Sequence, residues 1–461
     1  MLPWSLDEVL RATGGELSHG WEGADTFPIL YTDTREEHPG GLFVPLRGER
    51  FDGHDYVARA LASGAGAALW ARPEVPEGLP SGRLIRVRDG LQAYQALGRA
   101  HRRRLGVPVV AVTGSVGKTT TKDLVAALLE ARLRVHRSRL NFNNEVGVPR
   151  SLLELEPGHD VAVLELGMRG PGQIRELARL VEARVGVITR IGESHLELLG
   201  SREALADAKA ELLEEMPGDG VAVLPRHDEF FERLRGRARG RVVTFAPAAP
   251  ADWSVARVLS QGLEGCELEV RHPGGTSRLA FSLPGTHNLS NLVAALAVAA
   301  EFGLAPEDVA GAAARFRPSG LRSEVRRLDD GTVLLNDSYN AAPSSMQGAL
   351  EILALAGGRK VAVLGDMLEL GASEEEMHRA TGELAAKAGV DVLVAVGPRS
   401  RALADGARSS SLPTVRWAAD RDEAWSLLRA ELRPGDTVLI KASRGVGLDV
   451  LAERLQEEVQ R

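Results

Sequence analysis

Val109-Val-Ala-Val-Thr-Gly-Ser-Val-Gly-Lys-Thr-Thr120 is the stretch on which the reading of this chain turns. Val109 to Val112 is a short, wholly apolar, β-branched run, the signature of a buried strand. Two glycines follow, then Lys118 and a helix-compatible segment reaching about Ala131. A strand, a glycine-bearing loop and a helix N-terminus make a phosphate cradle. Backbone N–H groups point into the loop, and the helix end carries partial positive charge. Gly114 and Gly117 let backbone approach closely, with Ser115 and Val116 between them. Lys118 can neutralise terminal phosphates, and the hydroxyls of Thr119 and Thr120 follow, that of Thr119 suited to Mg²⁺. The general Gly-x-x-x-x-Gly-Lys-Ser/Thr pattern lacks its first glycine, because Val112 stands there.

On either side the chain alternates strand-like and helix-like segments, which predicts largely parallel α/β sheets. Before the loop, Gly41 to Leu46, Ala67 to Trp70 and Leu84 to Val87 read as short strands, and Leu91 to Arg104 as a helix. After it, Val161 to Leu166 and Val185 to Thr189 read as buried strands. Residues 241–283 read as an inserted β region, and Asn288 to Phe302 as a helix. Thr332 to Asn336, Lys360 to Leu364, Val392 to Val396 and Thr437 to Ile440 form a third set of strands. The expectation is three domains, at residues 1–106, 107–318 and 319–461. A central P-loop-type parallel sheet with an inserted β region is flanked by a small N-terminal α/β domain and a C-terminal Rossmann-like domain.

The bulk numbers fit this plan. With 461 residues, 44% hydrophobic and 26% charged, the chain is a multidomain globular protein. A net charge of −7 without a dominant basic patch argues against nucleic acid as a partner. Cys266 is the sole cysteine, so no internal disulfide or cysteine-rich metal site forms. The first residues lack a basic stretch followed by an apolar run, and no segment is apolar for long enough to span a bilayer. The cytoplasm is the expected location, with no membrane partner.

Three residues downstream bear on metal chemistry. Glu165 ends a strand at the edge of a parallel sheet where ligands bind, and a carboxylate suits a hard cation. His195, in Ile191-Gly-Glu-Ser-His-Leu-Glu197, is a loop histidine of a kind more often structural than catalytic. Lys209 lies in a predicted helix from Ser201 to Met216, on the stripe of Leu205, Leu212, Leu213 and Met216. A lysine there either snorkels outward or is buried for a purpose. Burial would free its amine, which CO₂ can carbamylate into an oxygen ligand.

Taken in order, these motifs resemble the Mur ligase family along nearly the full chain, and most closely its D-alanyl-D-alanine-adding branch. Asp33-Thr34-Arg35, Leu42-Phe-Val44, Gly48 and Phe51-Asp52-Gly53-His54 resemble the uridine-nucleotide domain. Thr113 to Thr120 is similar to the family's ATP loop. Asn141-Phe-Asn143-Asn144-Glu-Val-Gly-Val-Pro149 resembles its substrate-side segment. Glu165, His195 and Lys209 fall where the family has a metal-binding acid, a metal-binding histidine and a carbamylated lysine. His287-Asn288-Leu-Ser-Asn291 resembles the segment facing adenine. Arg322, Asp337-Ser-Tyr339-Asn340, Gly365-Asp-Met-Leu-Glu-Leu-Gly371 with His378, and Lys441-Ala-Ser-Arg444 resemble the motifs of the last domain. Ala342, Asp449 and Arg150 depart from the usual asparagine, glutamate and apolar residue.

The resemblance implies an ATP-dependent amide ligase of peptidoglycan precursor synthesis. Its catalytic residues would be Lys118, Glu165, His195 and Lys209. ATP would be held by residues 114–120, Asn288, Asn291, Arg322 and Asp337. Two Mg²⁺ sites would draw on Thr119, Glu165, His195 and carbamylated Lys209. The substrates would be UDP-MurNAc-tripeptide, with diaminopimelate or lysine as third residue, and D-alanyl-D-alanine. Asp33, Thr34, Arg35, Gly48, Asp52, Gly53, His54, Asn141, Asn143, Asn144, Tyr339 and Asn340 would contact them. A monomer is expected. The family's diaminopimelate- and lysine-adding members carry an Asp-Asn-Pro-Arg-like motif that is absent here. A P-loop ATPase, the rival from another class, would leave the last domain's motifs without a purpose.

Overall fold

The computed structural model describes residues 2–459 except Leu140 and His195. It divides into two compact units. One comprises residues 1–111, 133–168 and 173–184, the other residues 112–132, 169–172 and 185–461.

The first unit opens with a five-stranded sheet. Its strands are β1 (Glu16–Leu17), β2 (Leu30–Tyr31), β3 (Leu42–Phe43), β4 (Ala67–Trp70) and β5 (Leu84–Arg86), in the order β1-β5-β4-β3-β2. All pairs are parallel except β1 with β5. β3 and β5 are shorter than the apolar runs suggest, whereas β4 has the expected bounds and is buried along its whole length. The helix Gly90–Leu105 follows, capped by Asp89, whose side chain accepts from Gln92 N–H, and closed by left-handed Gly106. Its Gly98 faces Pro149, leaving no room for a side chain. Its arginines 99, 102 and 103 converge on Glu182.

The central sheet has nine strands. They are β6 (Val109–Thr113), β7 (Val135–Arg137), β8 (Val161–Glu165), β9 (Val185–Ile188), β10 (Val221–Pro225), β11 (Arg241–Ala246), β12 (Trp253–Gly262), β13 (Gly265–His272) and β14 (Gly275–Phe281). The boundary between the units falls within β6, after Ala111. In the first unit the order continues β6-β8-β7, and in the second it runs β14-β13-β12-β11-β10-β9-β6. β6, β8, β9 and β10 are buried throughout, which is why they read as apolar runs rather than as alternating patterns. The expected β insertion is present, but it extends the parallel sheet: β11 pairs in parallel with β10 and β12, and β12 to β14 form an antiparallel meander.

The last segment builds a six-stranded sheet from β15 (Glu324–Arg327), β16 (Val333–Asn336), β17 (Lys360–Gly365), β18 (Val392–Val396), β19 (Thr414–Ala418) and β20 (Thr437–Lys441). The order is β15-β16-β20-β17-β18-β19, parallel apart from the edge strand β15. Two apolar layers cover its faces, one around Met346, Leu353 and Leu403, the other around Leu428, Leu451 and Leu455. Among the described residues no helix is long and apolar enough to cross a membrane.

Candidate functional site

In the second unit β6 delivers Thr113 into the phosphate loop. Gly114 takes φ +144°, and a Cβ there would run into Thr189 Oγ1. That hydroxyl donates to the Val116 carbonyl at 2.6 Å, and Ser115 N–H donates to the Arg190 carbonyl at 2.8 Å. The end of β9 therefore moulds the loop. Gly117 takes φ +86°, with a Cβ position 2.7 Å from Asn291 Oδ1. The helix Lys118–Leu129 begins immediately after it with no side-chain cap. Gly117, the cap residue, has no side chain to offer the first N–H groups, and a helix N-terminus is a natural seat for an anion. Ser115 and Thr119 are buried, and Val116, Gly117, Lys118 and Thr120 are partly exposed. Lys118 Nζ donates to the Ser115 carbonyl at 3.2 Å.

Asn288 and Asn291 sit on the helix Thr286–Glu301, and both are buried. Asn288 Nδ2 donates to the Pro284 carbonyl at 2.8 Å, and Asn291 Oδ1 accepts from Thr121 Oγ1 at 3.1 Å. Both thereby tie this helix to its surroundings, Asn291 directly to the phosphate-loop helix. The same loop helix holds the buried pair Lys122–Asp123 at 3.1 Å. Asp123 also accepts from Ser319, at the entrance to the last sheet.

Lys209 lies on the helix Arg202–Glu215, whose Ser201 cap accepts from Ala204 N–H at 3.1 Å. Its side chain is 1% exposed, so of the two readings of that stripe, burial holds and snorkelling does not. His195 lies outside the described residues.

In the last segment Gly320, Leu321 and Ser323 all have left-handed φ, at +66°, +57° and +46°. Such angles are strained for the two non-glycine residues. Arg322, between them, stacks on Tyr339 with its guanidinium carbon 3.7 Å from the ring centre. Asp337 receives Lys441 Nζ at 2.5 Å and Ser323 N–H at 3.0 Å. Lys441 also donates to the carbonyl of exposed Asn340 at 2.8 Å. Lys441 belongs to the Lys441 to Arg444 motif, but its pairing with Asp337 cannot be read from their separation along the chain. The loop Gly365 to Gly371 is fastened by His378, whose Nε2 accepts from Met367 N–H at 3.0 Å and whose Nδ1 donates to the Glu374 carbonyl at 2.7 Å. Glu369 takes φ +65°, and its carbonyl accepts from Glu197 N–H at 3.2 Å.

In the first unit Glu165 is 3% exposed at the end of β8. Its Oε1 accepts from Asn143 Nδ2 at 2.8 Å, and its N–H donates to Ser138 Oγ at 3.3 Å. Asn144 Oδ1 instead accepts from Gly147 N–H at 2.8 Å and starts a helix, and exposed Asn141 accepts Asn143 N–H through its carbonyl at 2.8 Å. Arg150 lies over the Phe142 ring, 4.9 Å from its centre. Its charge, behind the hydrogen bonds and charge of Arg35, helps hold the Asp33 carboxyl down at about 2. Asp33, Thr34 and Arg35 form a surface turn in which Arg35 pairs with Asp33. His54 is buried with both ring nitrogens committed, Nδ1 donating to Asp52 at 2.7 Å and Nε2 accepting from Ala71 N–H at 3.1 Å. Gly53 and Gly48 are seats for the Leu46 backbone and the Phe51 ring. Within the Phe51 to His54 motif, then, the exposed phenyl faces solvent and the other three residues shape the turn.

Three consecutive segments match models of one family. Residues 27–102 match the Mur ligase family catalytic domain, residues 112–299 the Mur ligase middle domain, and residues 321–444 the Mur ligase glutamate ligase domain. The UDP-N-acetylmuramoyl-tripeptide–D-alanyl-D-alanine ligase of Bacillus subtilis is 38% identical over 460 residues, covering 99% of each chain. The chain belongs to the Mur ligase family. Among Mur ligases of solved structure, MurF from Acinetobacter baumannii superposes with a TM-score of 0.91 at 30% identity, covering 99% of each chain. MurF from Thermotoga maritima, crystallised in complex with ADP, gives 0.83 at 27% identity over 94% of this chain and 97% of that one.

Proposed function

We propose that this Mur ligase joins D-alanyl-D-alanine to UDP-MurNAc-tripeptide with hydrolysis of ATP to ADP and phosphate, in peptidoglycan precursor synthesis. The observation that carries this is the 38% identity across 99% of both chains with a ligase of that activity. The ADP complex of the Thermotoga relative supports ATP as the energy source.

A carboxylate is a poor electrophile, so the peptide's terminal carboxylate attacks the γ-phosphate to give an acyl phosphate and ADP. The dipeptide's amino group then attacks the acyl carbon, and the tetrahedral intermediate collapses to the amide and phosphate. Phosphoryl transfer of this kind needs positioning and charge neutralisation more than covalent help. Lys118 and the amides of residues 114–120 hold the phosphates, Asn288, Asn291, Arg322 and Asp337 the rest of the nucleotide. Asp33, Thr34, Arg35, Gly48, Asp52, Gly53, His54, Asn141, Asn143 and Asn144 serve the UDP-MurNAc-tripeptide, and Tyr339 and Asn340 the dipeptide.

Mg²⁺, when bound, supplies positive charge that aligns phosphate and carboxylate oxygens. Thr119 and Glu165 offer oxygen donors for it, and His195 and carbamylated Lys209 a second set. The donors fit: Glu165 is buried with one oxygen oriented by Asn143, and buried Lys209 carries an amine that CO₂ would turn into an oxygen-bearing carbamate. Among the described residues no group of three His, Cys, Asp or Glu could hold a metal ion. A cytoplasmic monomer is the form in which we expect it to act.

The test is phosphate release from ATP and UDP-MurNAc-tripeptide with D-alanyl-D-alanine, diaminopimelate or lysine. Release is expected only with the dipeptide. Release with diaminopimelate or lysine would reassign the enzyme to another ligase of the family, and release without any amine would favour an ATPase.

A further inference from the structure

Two glycines form a reciprocal seam between the turn before the helix Thr286–Glu301 and the helix Pro343–Ala354. At Gly348 a Cβ would sit 2.5 Å from His287 Nδ1, and at Gly285 a Cβ would sit 3.0 Å from Ile352 Cγ1. Each glycine is thus a seat for a side chain from the other side, and neither seat tolerates even a methyl group without movement. Gly285 also has φ +95°, which a side chain disfavours. His287 is only partly buried, but Nδ1 has no solvent contact and no hydrogen-bond partner. Such an atom is costly to enclose, so its place needs a reason. Desolvation holds the ring's pKa down at about 4, with Asp337 opposing and Lys441 and Arg190 adding, so the ring is uncharged at neutral pH.

The seam joins the two halves of the proposed chemistry. The helix Thr286–Glu301 carries Asn291, which abuts Gly117 of the phosphate loop. The helix Pro343–Ala354 follows directly on Asp337 to Asn340, the segment anchored by Lys441. We propose that His287 is a positioning residue of the ligation step: wedged against Gly348, it sets the register between the phosphate loop and the Asp337–Asn340 segment, and so the approach of the incoming amine to the activated carboxyl. The proposal rests on the ligase reading for its kinetic readout and on geometry for the rest.

The experiment compares the full chain with Gly348→Ala, His287→Ala and the double variant. In Gly348→Ala the new methyl meets the ring. The expected result is a fall in dipeptide-dependent kcat of at least about tenfold, the scale on which misplacement of reacting groups acts. Binding of a fluorescent ATP analogue stays within about twofold, because the phosphate loop is untouched. His287→Ala alone, which empties the seat at Gly348, is expected to lower kcat as well; removing the ring also relieves the clash, so the double variant recovers from Gly348→Ala only to the level of His287→Ala, a coupling the cycle reads directly. Small-angle scattering should show a larger radius for Gly348→Ala, reverting in the double variant. Full activity in Gly348→Ala, no recovery in the double variant, or a parallel loss of nucleotide binding would each overturn the proposal. An inactive parent protein would count against the ligase reading, and the scattering series would then decide the seam.

Discussion

Asn143 donates through Nδ2 to Glu165 Oε1 at 2.8 Å, so the proposed metal-binding carboxylate is aimed by an amide from another part of the chain. Gly167 makes the approach possible, since a Cβ there would lie 2.8 Å from Asn143 Cγ. Partners that orient a metal ligand typically matter by about 10–100-fold in affinity or rate. Asn143→Ala should therefore lower ligation by roughly that factor and raise the Mg²⁺ concentration needed for half-maximal rate. Asn143→Asp should be worse, because it sets a second carboxylate against Glu165. A Mg²⁺ titration of the initial rate checks both, and an unchanged titration in the two variants would contradict the role.

Lys209 is buried on a helix whose other inward residues are apolar apart from Glu211. Lys209→Ala should abolish most ligation while the thermal transition stays cooperative. If the side chain works as a carbamate, short-chain carboxylic acids added to the variant should restore part of the activity by supplying the missing oxygens. Near-normal activity of the alanine variant would rule the role out.

His378 links Met367 N–H to the Glu374 carbonyl and is fully buried. His378→Ala leaves both backbone groups without that partner, at about 1–3 kcal/mol for each unsatisfied group. A lowered melting temperature is expected, together with a weaker KM for the dipeptide if the Gly365 to Gly371 loop serves that substrate. A melting temperature equal to that of the parent would show that the loop is held by other means.

The buried strands and the phosphate loop were legible in the sequence because their chemistry is local. Val109 to Val112 must be apolar on both faces, and the loop must place glycine and lysine within a few residues. Lys209 was legible only as a choice, since helical spacing cannot separate burial from snorkelling. β10 has the same apolar run as its neighbours but is not among the expected strands, and β19 carried no clear signal. β19, Thr414-Val-Arg-Trp-Ala418, is a short edge strand with an exposed arginine at its centre. The pairings Asn143–Glu165, Asp337–Lys441 and His287–Gly348 join residues that no periodicity connects, so only the folded chain reveals them.

Glu182 gathers Arg99, Arg102 and Arg103 within the first unit. Burial alone would raise its carboxyl, but the hydrogen bonds and charges of Arg103 and Arg99 outweigh it and hold the group at about 2, below its ordinary 4.5. A depressed carboxylate contributes stability that is complete above the ordinary value and is lost as pH falls toward the folded one. The difference in melting temperature between the parent and Glu182→Gln should thus be constant near neutrality and shrink between about pH 4.5 and 2. A difference that persists unchanged to the acid end would assign the effect of the substitution to packing.

The central claim is that ATP activates a peptide carboxylate for attack by D-alanyl-D-alanine. It is tested most directly with UDP-MurNAc-tripeptide carrying a heavy-oxygen label in its terminal carboxylate. The protein is incubated with this substrate, ATP, Mg²⁺ and the dipeptide, and the products are weighed by mass spectrometry. The account requires a UDP-MurNAc-pentapeptide and inorganic phosphate that has taken one labelled oxygen from the substrate. Phosphate without label, or labelled substrate returned with no pentapeptide, would contradict it.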